Sequence, residues 1–239
     1  MLGWRGRIGS IDPSRGEIFT YEFYQIVPKD IVLIQTAVNI KQLTVEELER
    51  GLGELDRAAE LMAREEVDVL TVGGSPIIAL KGVGSDKEIS ARLEAATKIP
   101  TICGFTAVVE ALQTLSIKKV AVATVYKDEQ NKRHKRFLED SGFEVTNIKG
   151  MQIDVPSENA KLPSYASYRL AKEVFLEAPD SDGIYISCSR WQTALNIEKL
   201  ERDLKVPVVT NSQARIWSCL KRIHVGEVTP GFGRLFETL

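Results

Sequence analysis

The stretch Asp182-Gly183-Ile184-Tyr185-Ile186-Ser187-Cys188-Ser189-Arg190-Trp191 sets a thiol where chemistry can reach it. Ile184 to Ile186 reads as a buried strand, Ser-Cys-Ser as the bend after it, and Thr193 to Leu204 as a following helix. In an open α/β sheet, ligands bind beyond the carboxyl ends of the strands. A thiol there, with an unperturbed pKa of about 8.5, can give or take a proton near neutral pH. The alternative is that Cys188 is a small buried residue like other unpaired cysteines. Other strand ends carry Ser10, Ser14, Ser75, Thr124, Tyr126, Ser187 and Ser189. Singly, such hydroxyls commonly do no more than cap a helix. As a group, with N–H groups at helix starts, they suit a carboxylate, and a thiol beside a carboxylate is equipped to move a proton at the next carbon.

The elements that would position these groups alternate along the chain. Strands are predicted over Arg7–Ile11, Ile31–Gln35, Val67–Val72, Ile99–Cys103, Lys119–Thr124, Phe143–Ile148, Ile184–Ile186 and Val206–Thr210. A bend covers Asp12-Pro13-Ser14-Arg15-Gly16. Thr44 and Glu47 have capping-box spacing, and Leu48, Leu52, Leu55, Ala59 and Met62 predict one long helix running to Glu66. Further helices are predicted over Ser85–Thr97, Thr106–Leu115, Lys127–Ser141, Tyr165–Glu177 and Ser212–Ile223, with a loop from Gly150 to Ser164. Such alternation implies parallel sheets flanked by helices.

The chain also repeats. An offset of 114 takes Ile8–Asp12 onto Val122–Tyr126 and Leu70–Ser75 onto Ile184–Ser189, while Lys98-Ile99-Pro100 matches Lys205-Val206-Pro207 after a small shift. The fold class expected is therefore α/β with two similar lobes related by a pseudo-twofold axis and a central cleft. Residues 1–115 form the first lobe and 116–223 the second, with 224–239 a tail packing back on the first. The repeat puts Gly74 and Cys188 on opposite sides of the cleft.

A formal charge of -2 with interspersed signs offers neither a nucleic-acid stripe nor a membrane-binding face. No apolar run approaches the roughly 18 residues of a membrane span, and no signal-peptide core is visible. Cys103, Cys188 and Cys219 form no disulfide framework, so a cytoplasmic, reduced setting is expected, with Cys103 and Cys219 as core residues. Phosphate loops and clustered histidine or cysteine ligands are missing, so no metal and no cofactor are expected. His134, inside Lys132-Arg133-His134-Lys135-Arg136, is read as part of a solvated helix face.

Val120-Ala-Val-Ala-Thr-Val-Tyr126, Glu177-Ala-Pro-Asp-Ser-Asp-Gly-Ile-Tyr-Ile-Ser-Cys188 and Pro230-Gly-Phe-Gly-Arg-Leu-Phe236 resemble the aspartate/glutamate racemase superfamily, in its arylmalonate decarboxylase and maleate cis-trans isomerase branch. The resemblance covers essentially the whole chain. It implies a cofactor-independent enzyme acting next to a carboxylate, with Cys188 protonating an enediolate from one face. The other cysteine common in the superfamily is here Gly74. The carboxylate would be held by Ser75, Tyr126, Ser189 and Gly74, and Pro13, Ser14, Ile40, Leu43, Ile77, Asn159 and Arg190 would contact the substrate. Core packing is an equal reading for Ile40, Leu43 and Ile77, and for Arg190 a side chain turned to solvent or paired with a helix acid.

Five positions depart from the family pattern. Pro76 removes an N–H, Leu48 stands at a tyrosine position, Ser189-Arg190 replaces a glycine pair, and Asn159 replaces an apolar wall residue. Decarboxylation of a substituted malonate is the first expectation. Maleate isomerisation, an aspartate-, glutamate- or hydantoin-type racemisation, or an inactive small-acid binding protein are the alternatives. The expected partner is a small carboxylic acid, with neither nucleic acid nor membrane, and self-association into a homo-oligomer stays open.

Overall fold

The computed structural model describes residues 2–14 and 16–239; Met1 and Arg15, the latter inside the predicted bend, lie outside the described residues. The first half runs β1 (Gly6–Asp12), α1 (Glu17–Ile26), β2 (Ile31–Ala37), α2 (Val45–Gly53), α3 (Leu55–Arg64), β3 (Val69–Val72), α4 (Ser75–Lys81), α5 (Ser85–Thr97), β4 (Thr101–Cys103) and α6 (Gly104–Thr114). The second half runs β5 (Lys119–Thr124), α7 (Asp128–Asp140), β6 (Glu144–Gly150), α8 (Pro156–Asn159), α9 (Tyr165–Leu176), β7 (Gly183–Ile186), α10 (Ile197–Leu204), β8 (Val208–Thr210) and α11 (Asn211–Arg222). Each half builds a four-stranded parallel sheet, ordered β2-β1-β3-β4 and β6-β5-β7-β8. Central strands β3, β5 and β7 read as near-continuous apolar runs because helices cover both of their faces.

The repeat is carried by hydrogen bonds, and its first match shifts by two residues. Gly9 pairs with Leu70 and Ala121 with Ile184, so β1 maps onto β5 at an offset of 112 while β3 maps onto β7 at 114. Leu70 pairs with Thr101 and Ile184 with Val208, which gives the smaller offset of the Lys98 and Lys205 segments. Beyond the strand ends, Ile40 N–H donates to Pro13 O and Ile153 N–H to Val125 O. Ser14 therefore stands where Tyr126 does.

Several expectations are corrected. The long helix after Thr44 is two, broken at Glu54 between α2 and α3, although Leu48, Leu55, Ala59 and Met62 are all buried as the stripe requires. Thr44 Oγ1 accepts from Glu47 N–H, but the Glu47 carboxylate accepts from Lys41 N–H, so the box is half-made. The 150–164 segment holds α8, and a 3-10 turn at Ala194–Asn196 precedes α10. Helices α1 and α4 have no counterpart among the expected elements. The largest reversal is His134, which is fully buried. It lies over Tyr126 and Phe105, with ring centroids 4.7 and 5.1 Å away.

The halves interlock rather than merely touch. Helix α11 packs on α6 and reaches β3 and β4 of the first sheet, and α4 packs on α7. The tail lies against both lobes: Thr229 N–H donates to Ile26 O, whereas Gln213 Nε2 donates to Phe232 O.

Candidate active site

Strand β7 ends at Ile186, and Cys188 follows in a left-handed conformation with φ of 116°. The other left-handed non-glycine residues lie between 51 and 70°, so Cys188 is held outside the usual αL well. Strain of this kind costs about 1–3 kcal/mol and collects at functional sites. Gly74, its counterpart across the repeat, has φ of 95°. One backbone shape therefore recurs at both strand ends.

A cavity of about 60 Å³ opens between these two points. Gly74, Ser75, Tyr126, Cys188, Ser189, Pro13, Ser14, Leu43, Asn159 and Arg190 all line it. Ile40 and Ile77 do not. Both are core residues: Ile40 packs against Gly51, and Ile77 lies where a β-carbon on Gly74 would project. Leu48 is likewise buried core. Cys103 and Cys219 are buried away from the cavity, and burial pushes both thiols up to about 12.

The Cys188 thiol is buried, and loss of solvent raises its pKa despite the Arg190 N–H at 3.4 Å and Asn159 Nδ2 at 3.5 Å from Sγ. A raised pKa keeps the sulfur protonated at neutral pH. Tyr126 is also held neutral by burial, well above its ordinary value. Arg190 crosses the cleft mouth: Nη1 donates to Ser14 Oγ at 2.7 Å and Nη2 lies 3.3 Å from Glu17. Its Nε and Asn159 Oδ1 are buried without a partner among the described residues. An unpaired buried polar atom is costly, so such atoms at a cavity mark a place for a polar ligand.

Further residues of the site have no local sequence signal. Arg215 of α11 is fully buried and pairs with Asp12 at the end of β1, Nη1 to Oδ1 at 2.8 Å. It also donates to Ser10 Oγ at 2.8 Å and Ser189 Oγ at 3.4 Å, and its guanidinium lies 4.2 Å from the Phe19 ring centroid. A β-carbon on Gly73 would run into Asp12 Oδ1 and the Arg215 guanidinium, which explains the glycine. Asn211, one turn earlier on α11, donates from Nδ2 to Ser75 Oγ at 3.0 Å. Tyr185 O–H donates to its Oδ1. Glu22 of α1 accepts the Thr193 and Ala194 N–H groups at 2.6 and 2.7 Å, bracing the segment that follows Cys188. Among the described residues, no three His, Cys, Asp or Glu side chains come together as a metal-binding set, and no helix is long and apolar enough to cross a membrane.

Two parallel-sheet lobes with one strained thiol at their junction define the class of protein. The chain belongs to the arylmalonate decarboxylase family, whose model matches residues 8–236. It is 28% identical over 231 residues to the arylmalonate decarboxylase of Bordetella bronchiseptica, covering 96% of both chains. It is 26% identical to a maleate isomerase of Pseudomonas putida, covering 97% of both. A crystal structure of a liganded glycine-to-cysteine, cysteine-to-serine double variant of arylmalonate decarboxylase superposes with a TM-score of 0.93 at 26% identity, over 98% of this chain and 100% of that one. The maleate cis-trans isomerase of Nocardia farcinica, with a covalently bound succinylcysteine, shares the fold at a TM-score of 0.91 and 18% identity, over 98% and 99% of the two chains.

Proposed function

We propose that the protein decarboxylates a small malonate-type acid with a polar rather than an aryl substituent, using Cys188 as the proton donor. The observation that carries this reading is the asymmetry of the cavity: a protonated thiol on one side and Gly74 at the equivalent point opposite. The retained carboxylate would lie among Ser75, Tyr126 and Ser189, and the departing one toward Pro13, Phe19 and Leu43. Breaking the C–C bond releases carbon dioxide and leaves its electron pair in an enediolate, whose developing charge the fixed hydroxyl donors stabilise. The S–H proton then passes to carbon, and the thiolate takes a proton from solvent. Size argues against a ring, since a cavity of about 150 Å³ is known to take benzene and this one is about 60 Å³. The unpaired Arg190 Nε and Asn159 Oδ1 favour a polar substituent.

One observation favours a second reading. Arg190 N–H and Asn159 Nδ2 both donate toward Sγ, an arrangement that also supports a thiolate adding to the double bond of maleate. Incubating the protein with methylmalonate, hydroxymalonate, phenylmalonate and maleate, with release of carbon dioxide and isomerisation both monitored, tests the two. Decarboxylation by a neutral thiol fades above its raised pKa, whereas attack by a thiolate rises with pH. Tight binding without turnover would identify a small-acid binding protein and overturn both.

A further inference from the structure

Ser75 and Ser189 are equivalents across the repeat, and one helix touches both. Asn211 and Arg215 lie four residues apart on α11 and so share a face. Asn211 Nδ2 donates to Ser75 Oγ at 3.0 Å, and Arg215 Nη1 donates to Ser189 Oγ at 3.4 Å. A guanidinium is donor-only, and a hydroxyl carries one proton and two lone pairs. A serine oxygen that accepts from such a donor keeps its own proton for another partner. For Ser75 the rival acceptor is Asn211 Oδ1, but that contact is the longer one, 3.4 against 3.0 Å, and Tyr185 O–H already takes one of the two lone pairs of that oxygen. Asp12, the acid beside Ser189, is engaged with Arg215, Ser10 and Gln35.

We infer that Asn211 and Arg215 are positioning residues that fix the polarity of the site: they occupy the lone pairs of Ser75 and Ser189 and turn both hydroxyl protons into the cavity. Tyr185, which does not line the cavity, completes the device by donating to Asn211 Oδ1 and so holding the amide with its Nδ2 toward Ser75. The inference rests on the reading of Ser75 and Ser189 as carboxylate-holding groups. It adds that their donor direction is imposed from α11, a helix reaching across the lobe boundary.

The test is calorimetric titration of malonate, as an unreactive reference ligand, into the wild-type protein and four variants, with melting curves confirming the fold. Asn211→Asp turns the donor into an acceptor that claims the Ser75 proton, and Tyr185→Phe frees the Asn211 amide to turn its Oδ1 toward Ser75 without adding charge. Each is expected to weaken malonate binding, by about tenfold and about threefold respectively, since a hydrogen bond to a charged group is worth roughly 1.5–3 kcal/mol. Ser75→Ala should cost about tenfold in the wild-type background and nothing more on top of Asn211→Asp. Simple repulsion by the new carboxylate would instead leave the Ser75→Ala cost intact, and that result overturns the inference. So does binding by both single variants within about twofold of wild type. Should Asn211→Asp fail to fold, Tyr185→Phe decides by the same threshold. Wild-type protein with no affinity for malonate would overturn the functional reading and this inference with it.

Discussion

The two lobes share a backbone and divide the chemistry unequally. Asp68 accepts the N–H of Arg7 at the start of β1, and Asp182 accepts the N–H of Lys119 at the start of β5. Gly73 N–H donates to Ile11 O, and Ser187 N–H to Ala123 O. At the site, Ser75 faces Ser189 as like residues, but Gly74, Ser14 and Pro76 of the first lobe correspond to Cys188, Tyr126 and Arg190 of the second. The repeated frame delivers a left-handed residue to both sides of the cleft, and side chains alone make the two sides differ. One half thus presents the thiol, the phenol and the cation, while the other presents space and two hydroxyls.

Removing the odd side chain should have the largest effect. Cys188→Ala is expected to lower turnover by about 10²–10⁴-fold, the usual worth of a general acid, with its melting temperature close to wild type. Steady-state kinetics with circular-dichroism melting checks both; a folded variant that keeps its rate would remove Cys188 from the mechanism. Restoring symmetry is the second experiment. Gly74→Cys places a second thiol on the opposite face, so product from a prochiral acid should lose optical purity. Gly74 has φ of 95°, so a side chain there is strained, as that of Cys188 already is at 116°. The obstacle is steric, with a β-carbon 2.7 Å from Pro13 Cγ and 3.1 Å from Ile77 Cδ1. Chiral chromatography of the product reads the outcome: a folded, active Gly74→Cys protein that still yields one enantiomer would show that the two positions do not face the same carbon.

Much of this symmetry is legible in the sequence, and the reasons for the rest are physical. Strands are readable because short apolar runs have few alternatives, and the bounds of β5 and α5 agree with the reading. Helix α1 is not, because Glu17-Ile-Phe-Thr-Tyr-Glu-Phe-Tyr-Gln-Ile26 is dense in β-branched and aromatic residues that favour strands, and its N-cap, Gly16, has no side chain to announce it. Helix α4 has seven residues, too few to show a period. The cysteine, serines and tyrosine at strand ends are visible because strand ends are local features. Asp12 and Arg215 are not, since 203 residues separate them and only the interlocked helices bring them together. His134 is within reach of a sequence reading: Gln130, Asn131, His134, Phe137 and Leu138 form a buried stripe that the intervening charges hide.

His134 extends the comparison to pH. Carrying the offset of 112 into the following helices sets Ile18, Phe19, Glu22 and Ile26 of α1 against Gln130, Asn131, His134 and Leu138 of α7, and all eight are buried. A buried acid in one lobe therefore answers a buried base in the other. Burial lowers His134 to about 4 from an ordinary 6.5, although Nδ1 lies 2.9 Å from Gln130 O. The folded protein thus refuses a proton that the unfolded chain accepts. The His134 contribution to stability is complete above pH 6.5 and falls as pH drops toward 4, by about 3 kcal/mol at 1.36 kcal/mol per unit. Urea unfolding between pH 7.5 and 4 should show that loss in the wild type and a flatter profile in His134→Gln. Equal slopes in the two proteins would mean that His134 takes up its proton while folded.

Glu22 should give the mirror response. Desolvation raises its pKa above 4.5 although Oε1 accepts from Thr193 and Ala194. Oε2 lies buried without a hydrogen-bond partner among the described residues. Here the folded state holds its proton more tightly than the unfolded chain. The contribution to stability is therefore full below pH 4.5 and is lost as pH rises through the raised value. Glu22→Gln isolates the charge, because the amide keeps an acceptor for the two N–H groups. The variant should gain on the wild type as pH rises above 4.5, read as a higher melting temperature relative to the wild type at neutral than at acid pH. The two replacements then act on opposite limbs of the stability profile, His134→Gln on the acid side and Glu22→Gln on the alkaline side. A Glu22→Gln protein whose advantage is greatest at low pH would break the pairing, because it would show that the carboxylate is favoured in the folded state by its two backbone donors over the cost of burying it.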